Sequence, residues 1–369
     1  MSMPARHHRH RRGPAAASIA AALSLLVALA TAPVAAQQRD PEQRIGRTVA
    51  DATPAGYRFE TFTVDSADRN RRWRVRLAVP TGAAPAAGWP ALWMLDGNAA
   101  LIEFDPPLLA ELAARPQPWL LVFVGYDNDL RIDSPARSRD YTPFAGERPG
   151  PGGTVVASGG GADAMLETIE RAIRPEIARR VATDPARQAL WGHSLAGLFA
   201  LHTLYTRGGA FDTYAAGSPS LWWGEGAMLG APEQRFVANN AGRRARLLLG
   251  LGGGERASDT SNRDLADPRV QVHLRRIAGA PPDSTARLAE RLAAVDGLDV
   301  AYREFPGLTH GPMFRASLMW ALHAITGVAD RSGTPRPPEP PAPWARCARR
   351  LRLPAMRSTS PGRTASTAS

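Results

Sequence analysis

Short apolar segments that alternate with helical patterns limit the fold of this chain more than any other feature of its sequence. Two segments of alternating polarity come first, FETFTVDS (59–66) and RWRVRLAVP (72–80), and they predict an antiparallel hairpin. Buried strands are predicted at WPALWMLDG (89–97), WLLVFVGYD (119–127), RQALWGHS (187–194), FDTYAAGSP (211–219), RLLLGLGGG (246–254) and LDVAYREFPG (298–307). Helical patterns lie near residues 98–114, 162–180, 195–207, 283–295 and 311–326. This order predicts an α/β fold with a mixed, mostly parallel central sheet and helices on both faces.

The formal net charge of +11 comes from the two ends of the chain. Four arginines precede residue 37, and eight arginines against Glu339 alone follow residue 330, so residues 37–330 have no net charge. A basic surface for nucleic acid would need that charge within the folded part. We therefore predict no nucleic-acid partner.

The N-terminus predicts export. A basic, histidine-rich stretch ends at Arg12, and the uncharged segment PAAASIAAALSLLVALATAPVAA (14–36) follows it. Small residues near its end fit cleavage before Gln37, so residues 1–36 are predicted to be a signal peptide. We expect a periplasmic protein with no stable membrane insertion once the signal is cleaved.

The remaining boundaries follow from composition. Residues 37–55 are predicted to be a polar lead-in and residues 56–328 the main α/β domain. Residues 329–369, rich in proline, arginine and serine, are predicted to be a disordered tail, and they include the single cysteine, Cys347. The glycine- and proline-rich stretch 145–163 is too polar for the core, and we expect either a flexible flap or a long disordered connection.

The stretch WGHSLAG (191–197) places a serine where an apolar strand meets a helical pattern. A sharp strand–turn–helix of this kind holds serine in a strained conformation with its hydroxyl at the sheet edge. Ala196 stands where glycine completes the usual G-x-S-x-G pattern, and it adds one methyl group. We predict Ser194 as a nucleophile; the alternative is a serine that only caps the helix.

A serine nucleophile needs a histidine base. His310, in FPGLTHGPMF, follows the last predicted strand and precedes the last helix, where the base belongs in the chain order serine, acid, histidine. A loop histidine without a role is the alternative. His193 and His202 are expected to be structural.

The third member of such a triad is an acid that orients the histidine. Glu255, in LGLGGGERA, comes directly after a predicted strand and is our candidate. Three aspartates share its loop and stay open as alternatives, as does a surface role for the glutamate: Asp259, Asp264 and Asp267.

Backbone amides must stabilise the oxyanion that forms when serine attacks an ester. One is expected at Leu195, directly after the serine. The second is expected at Asn98 in LDGNAAL, where Gly97 allows a tight turn.

Taken together, the chain resembles the esterase D-like family of α/β-hydrolases, and within it the periplasmic siderophore esterases of the enterobactin trilactone type. The resemblance rests on WMLDGNAAL, VGYDNDLRIDSPARSRDYTPF, GGGADAMLETIERAIRP, WGHSLAGLFALHTL, FDTYAAGSPSLWW and FPGLTHGPMF, which span about residues 57–326. Ala196 departs from the family pattern, and the acidic triad member is not uniform in such enzymes, since some rely on a Ser-His pair. The basic C-terminal tail and the glycine-rich insertion also lie outside that pattern.

The resemblance implies an α/β-hydrolase fold, with Ser194 as nucleophile, His310 as base and oxyanion donors at Asn98 and Leu195. It implies a serine esterase that opens a catecholate trilactone and releases iron from an imported siderophore, ferric or iron-free, without a metal or organic cofactor in catalysis. An anionic, aromatic substrate favours arginine and flat rings, so four residues are candidates for binding it: Arg131, Arg137, Trp222 and Trp223. The structural alternatives are loop anchoring for Arg137 and packing under a helix for Trp222 and Trp223. An exported acyl or feruloyl esterase and a non-catalytic binding protein are the alternative functions.

Overall fold

The computed structural model describes residues 43–335, except residues 53, 55, 150–153, 241, 257–265 and 267. The predicted signal peptide and most of the predicted tail therefore lie outside the described residues. The strands are β1 (Tyr57–Asp65), β2 (Arg72–Pro80), β3 (Trp89–Met94), β4 (Leu120–Tyr126), β5 (Ala145–Pro149), β6 (Val155–Gly159), β7 (Thr183–His193), β8 (Thr213–Gly217), β9 (Ala245–Gly252) and β10 (Leu298–Phe305).

Eight of these strands form one sheet in the order β1-β2-β4-β3-β7-β8-β9-β10. The hairpin β1–β2 is antiparallel, and β2 pairs antiparallel with β4. Every pair from β4 to β10 is parallel. The predicted mixed sheet with an N-terminal antiparallel hairpin is thus confirmed, and the carboxyl ends of β3, β7, β8, β9 and β10 meet at one edge.

The described α-helices of five or more residues are α1 (Gly97–Leu101), α2 (Pro106–Ala113), α3 (Ser134–Asp140), α4 (Ala162–Thr168), α5 (Arg174–Arg180), α6 (Leu195–Thr206), α7 (Ala231–Asn239), α8 (Pro268–Ile277), α9 (Ser284–Ala293) and α10 (His310–Thr326). None of the helices in the described ranges is long and apolar enough to cross a membrane.

Alternate residues of each central strand enter different apolar clusters. In β3, Trp93 joins the cluster that contains residues of α4, α6 and α9, whereas Leu92 joins the cluster that contains residues of α2 and α10. Because successive side chains of a strand point to opposite faces, the sheet is covered by helices on both sides. Strands β3 and β4 are accordingly buried along their whole length.

Two predicted helices differ in detail from the structure. The pattern at 98–114 forms two helices, because the Asp105 side chain accepts a hydrogen bond from the Leu108 amide and Pro106 begins α2. The pattern at 162–180 continues through Pro175, and a π-helical segment, Ile169–Ile173, joins α4 to α5. Helices α3, α7 and α8 were not predicted, since each is short or strongly polar.

The stretch 145–163 is more regular than expected. Strands β5 and β6 pair antiparallel within it, so the alternative of a disordered connection is wrong for these ten residues, whereas the flap stays a prediction. Gly146 and Gly159 lie against the ring of Trp223, and a Cβ atom on either glycine would come within 3.0 Å of that ring. The hairpin is thus seated on a buried tryptophan, a contact that composition does not reveal.

Both ends of the described chain contact the sheet domain. The Arg131 amide donates to the Gln43 carbonyl at 2.7 Å, and the Ile45 amide donates to the Asp129 carbonyl at 2.8 Å. At the other end, the Arg331 guanidinium donates to Glu111 of α2 at 2.7 Å. These residues pack with the domain although they lie outside the predicted 56–328.

Candidate active site

Ser194 lies between β7 and α6 with a strained backbone, at φ 64° and ψ −120°. A positive φ is costly for a residue with a side chain and persists where the surroundings enforce it. Here Gly192 permits the close turn, because a Cβ atom on it would lie 2.8 Å from the Ala196 methyl group and collide with the Ala196 carbonyl. Space for the Ala196 methyl therefore comes from the missing side chain of Gly192.

Ser194 contacts His310, the first residue of α10. The Ser194 Oγ lies 2.9 Å from the His310 Nε2, a hydrogen-bond distance for a nucleophile and its base. On the other side of the ring, the His310 Nδ1 lies 2.6 Å from the Glu255 Oε2. The three side chains thus form a continuous chain across the carboxyl ends of β7, β9 and β10.

Glu255 is held as an acceptor. Its Oε1 receives hydrogen bonds from the Ser218 hydroxyl at 2.6 Å and from the Gly252 amide at 3.1 Å. Burial raises the pKa of this carboxyl, but the hydrogen bond and charge of His310, with those donors, bring the pKa below its ordinary value. An ionised Glu255 accepts the Nδ1 proton of His310 and leaves Nε2 free to receive the serine proton.

The structure places the other candidate residues differently. Asp259, Asp264 and Asp267 lie outside the described residues. The His202 Nε2 lies 2.8 Å from Asp163, and the His193 ring contacts the His310 ring with centroids 4.7 Å apart and the ring planes tilted by 42°.

The loop that follows β3 is built from strained and small residues. Asp96 has φ 50°, and a Cβ atom on Gly97 would lie 2.7 Å from the backbone of β4. The side chain of Asn98 makes three hydrogen bonds. Its Oδ1 accepts from Arg76 at 2.8 Å, and its Nδ2 donates to the carbonyls of Asn128 and Leu130 at 2.9 Å. These bonds hold the loop in place. Asn98 lies in the first turn of α1 and Leu195 in the first turn of α6, and backbone amides in the first turn of a helix have no intrahelical partner.

Arg137 connects this loop to the nucleophile. Its guanidinium donates to Asp96 at 2.9 and 3.0 Å and to the His193 carbonyl at 3.1 Å, directly before Ser194. The side chain of Asp96 is only 2% exposed and that of Arg137 11% exposed. Sequence reasoning proposed Arg137 for substrate binding; in the structure its charge is already neutralised and it anchors the loop, although its edge lines the pocket beside Ser194.

Arg131 lies on the same pocket. Besides Ser194 and Arg137, the pocket is lined by Arg131, Ile132, His193, Gly311 and Phe314. The Arg131 guanidinium carbon lies 5.4 Å from the centre of the Phe314 ring, and its Nη2 lies 3.7 Å from Glu103. A cation and an aromatic ring thus flank the nucleophile.

The two tryptophans lie apart from that pocket. Trp223 is 1% exposed and donates from its indole nitrogen to the Phe144 carbonyl at 2.9 Å. Its ring packs under the β5–β6 hairpin, so the structure gives Trp223 a packing role and leaves no face for a substrate. Trp222 is half-buried against it, with ring centroids 5.9 Å apart.

Sequence reasoning missed the two serines of the turn after β8. Ser218 reaches Glu255, and the Ser220 hydroxyl lies 3.1 Å from the hydroxyl of Ser194. The sequence SPS stands in FDTYAAGSPSLWW, but only the fold brings these serines to the carboxyl ends of β7 and β9.

Among the described residues, no group of three or more histidine, cysteine, aspartate or glutamate side chains could hold a metal ion.

The sheet order and the strained serine between β7 and α6 are those of an α/β-hydrolase. The chain belongs to the family described as "Putative esterase", which it matches over residues 66–324, and it is an ester hydrolase.

Named relatives agree with this assignment. The chain is 33% identical to the apo-salmochelin esterase of Escherichia coli O6:H1 over 308 residues, which cover 83% of this chain and 90% of that protein. It is 30% identical to the ferri-bacillibactin esterase BesA of Bacillus subtilis, covering 72% of this chain and 89% of that protein. Among solved structures, the enterobactin and salmochelin hydrolase IroE superposes with a TM-score of 0.56 at 32% identity, over 76% of this chain and 99% of that one.

Proposed function

We propose that this chain hydrolyses the ester bonds of a catecholate siderophore, with Ser194 as nucleophile, His310 as base and Glu255 as the acid that orients the base. The hydrogen-bonded chain from Ser194 through His310 to Glu255 is the observation that carries the proposal. The three side chains have the order and the contacts that acyl transfer to serine requires.

In the first half of the reaction, the Ser194 Oγ attacks the ester carbon while its proton passes to the His310 Nε2. The carbonyl oxygen becomes an oxyanion, for which we propose the amides of Leu195 and Asn98 as donors. Glu255 stabilises the imidazolium that forms. The tetrahedral intermediate then expels the alcohol, which takes the proton from His310, and an acyl-enzyme remains.

In the second half, a water molecule attacks the acyl carbon and gives its proton to His310. The bond to the Ser194 Oγ breaks, the serine recovers the proton, and the acid leaves. Neither half changes an oxidation state, and each proton that Ser194 or water gives up passes through His310.

The substrate class rests on the relatives and on the pocket. Relatives at 33% and 30% identity carry the names of siderophore esterases. The guanidinium of Arg131 and the ring of Phe314 face the pocket beside Ser194, a combination that suits an anionic aromatic ligand.

We further propose that residues 1–36 direct export, which would place the enzyme in the periplasm, where an imported siderophore can reach it. We extend the proposed catalytic domain beyond residues 56–328, to include the contacts made by Gln43, Ile45 and Arg331.

The test is product chromatography after incubation with ferric and iron-free catecholate trilactones, beside simple aryl esters. We expect ring-opened trilactone products from the wild-type chain and none from Ser194→Ala. Arg131→Met should raise KM for the trilactone and leave the KM of a neutral aryl ester within about twofold, because only the first substrate offers an anion to the guanidinium. Turnover of aryl esters alone would overturn the substrate proposal while leaving the esterase intact.

A further inference from the structure

The turn that follows β8, Ser218-Pro219-Ser220, contacts both ends of the catalytic chain. Ser218 donates from its hydroxyl to Glu255 at 2.6 Å, and the Ser220 Oγ lies 3.1 Å from the Ser194 Oγ. Ser220 is 1% exposed, so this contact excludes solvent. The turn therefore places a second hydroxyl directly on the atom proposed to attack the ester.

The backbone fixes this turn in several places. Ser218 has φ 41°, a strained value for serine, and its amide donates to the Gly250 carbonyl at 2.7 Å. The Ser220 amide donates to the carbonyl of Ser194 at 3.1 Å, and the Ser220 carbonyl accepts from the Trp223 amide at 3.0 Å. Strain that the surroundings enforce in this way is common where a side chain must be held for function.

The direction of the hydrogen bond between the two hydroxyls follows from the rest of the chain. The His310 Nδ1 lies 2.6 Å from the Glu255 carboxylate, which can only accept, and when the ring is neutral a proton on Nδ1 leaves none on Nε2. The Ser194 proton must point to that nitrogen, 2.9 Å away. Ser194 has no second proton to offer, so Ser220 is the donor in the contact between the two hydroxyls.

We propose that Ser220 is a fourth catalytic residue, whose hydroxyl donates to the Ser194 Oγ throughout the reaction. This proposal rests on the proposed role of Ser194 as nucleophile. Its donation occupies one lone pair of the nucleophile and leaves another directed at the ester. It also keeps the Ser194 proton aligned with His310.

The hydrogen bond gains strength as the reaction proceeds. Negative charge develops on the Ser194 Oγ when its proton leaves during attack, and again when the acyl–oxygen bond breaks during release of the acid. Hydrogen bonds to charged acceptors are stronger than those to neutral ones. An interaction stronger in the transition state than in the ground state lowers the barrier, so Ser220 should affect kcat more than KM.

The test uses the full chain with an aryl ester and a fluorophosphonate. Ser220→Ala should lower kcat by about 3- to 10-fold with KM within about twofold, and should slow fluorophosphonate labelling of Ser194 by a similar factor. The apparent pKa in the pH–rate profile should stay in place, because the contacts of His310 and Glu255 are untouched. Ser220→Cys has a slightly larger side chain and a weaker donor, so its kcat and labelling rate should lie between those of the wild type and Ser220→Ala. It serves where the alanine variant does not fold.

The matched control is Ser284→Ala. Ser284 is 7% exposed, and its hydroxyl donates to the Pro281 carbonyl at 2.6 Å at the start of α9, so this variant loses the same buried atom away from the nucleophile. Its kcat and labelling rate should match those of the wild type. Three outcomes would each overturn the proposal: Ser220→Ala keeps the wild-type kcat and labelling rate, both alanine variants lose activity equally, or the pH–rate profile of Ser220→Ala shifts. A wild-type chain that Ser194 labelling does not inactivate would instead overturn the proposed function.

Discussion

Replacing Glu255 by glutamine should damage catalysis more than replacing it by alanine, although glutamine is the closer isostere. The reason lies at the two carboxylate oxygens. The Gly252 amide, 3.1 Å from Oε1, can only donate, so a glutamine places its carbonyl oxygen there. Its NH2 group then faces the His310 Nδ1, where the carboxylate lies 2.6 Å away in the wild type.

A glutamine in that orientation donates to Nδ1 and moves the ring proton to Nε2, where it blocks the transfer from Ser194. Turning the amide over leaves the Gly252 donor unpaired, which costs about 1–3 kcal/mol. Loss of the charged hydrogen bond to the imidazolium costs about 1.5–3 kcal/mol more. At about 1.4 kcal/mol per tenfold, Glu255→Gln should lower kcat by about 10²- to 10⁴-fold.

Alanine puts no donor against Nδ1, so Glu255→Ala should lose only the charge contribution, about 10- to 150-fold. The assay is kcat on an aryl ester, with thermal unfolding to verify that each variant folds. Glu304→Gln is the control, since its exposed carboxylate contacts Arg256 and should leave kcat unchanged. A glutamine variant as active as the alanine variant would refute the reasoning about orientation.

Three further predictions concern stability and packing. The folded-state pKa of Glu255 lies below its ordinary value. Its carboxylate therefore stabilises the fold above about pH 4.3, and this contribution is lost as the pH falls through the folded-state pKa. The free energies of unfolding of the wild type and Glu255→Ala, measured with denaturant, should converge in that acidic range. Arg137→Ala leaves Asp96 buried without its partner and should cost about 3–5 kcal/mol in urea unfolding, whereas an effect on KM alone would show that Arg137 only binds substrate. Ala196→Gly should keep kcat within about threefold. Gly192→Ala should lower the free energy of unfolding by about 1–3 kcal/mol, because its methyl group would clash with Ala196. Two variants of equal stability and activity would contradict this account of the packing.

The strand–helix alternation made the sheet and the approximate site predictable. In a parallel sheet the residues that follow the strands meet at one edge, so Ser194, Glu255 and His310 could be proposed from their positions alone. The structure brings the three within hydrogen-bond distance. Their catalytic roles stay a prediction until activity is measured.

Contacts between distant segments could not be predicted. Asp96 and Arg137 are 41 residues apart, and a sequence cannot show that a buried carboxylate neutralises that arginine. The same holds for Ser220, whose contact with Ser194 depends on the neighbouring positions of β7 and β8 in the sheet. Trp223 was proposed for binding because it follows a strand, but the β5–β6 hairpin covers it.

The central claim is that Ser194, activated by His310, is the nucleophile. Its most direct test is the mass of the intact protein after exposure to a fluorophosphonate, followed by peptide mapping. We predict one adduct per wild-type chain, located on Ser194, no adduct on Ser194→Ala, and labelling slowed by at least about 100-fold on His310→Ala. An unlabelled wild-type chain, or an adduct that persists in Ser194→Ala, would contradict the account.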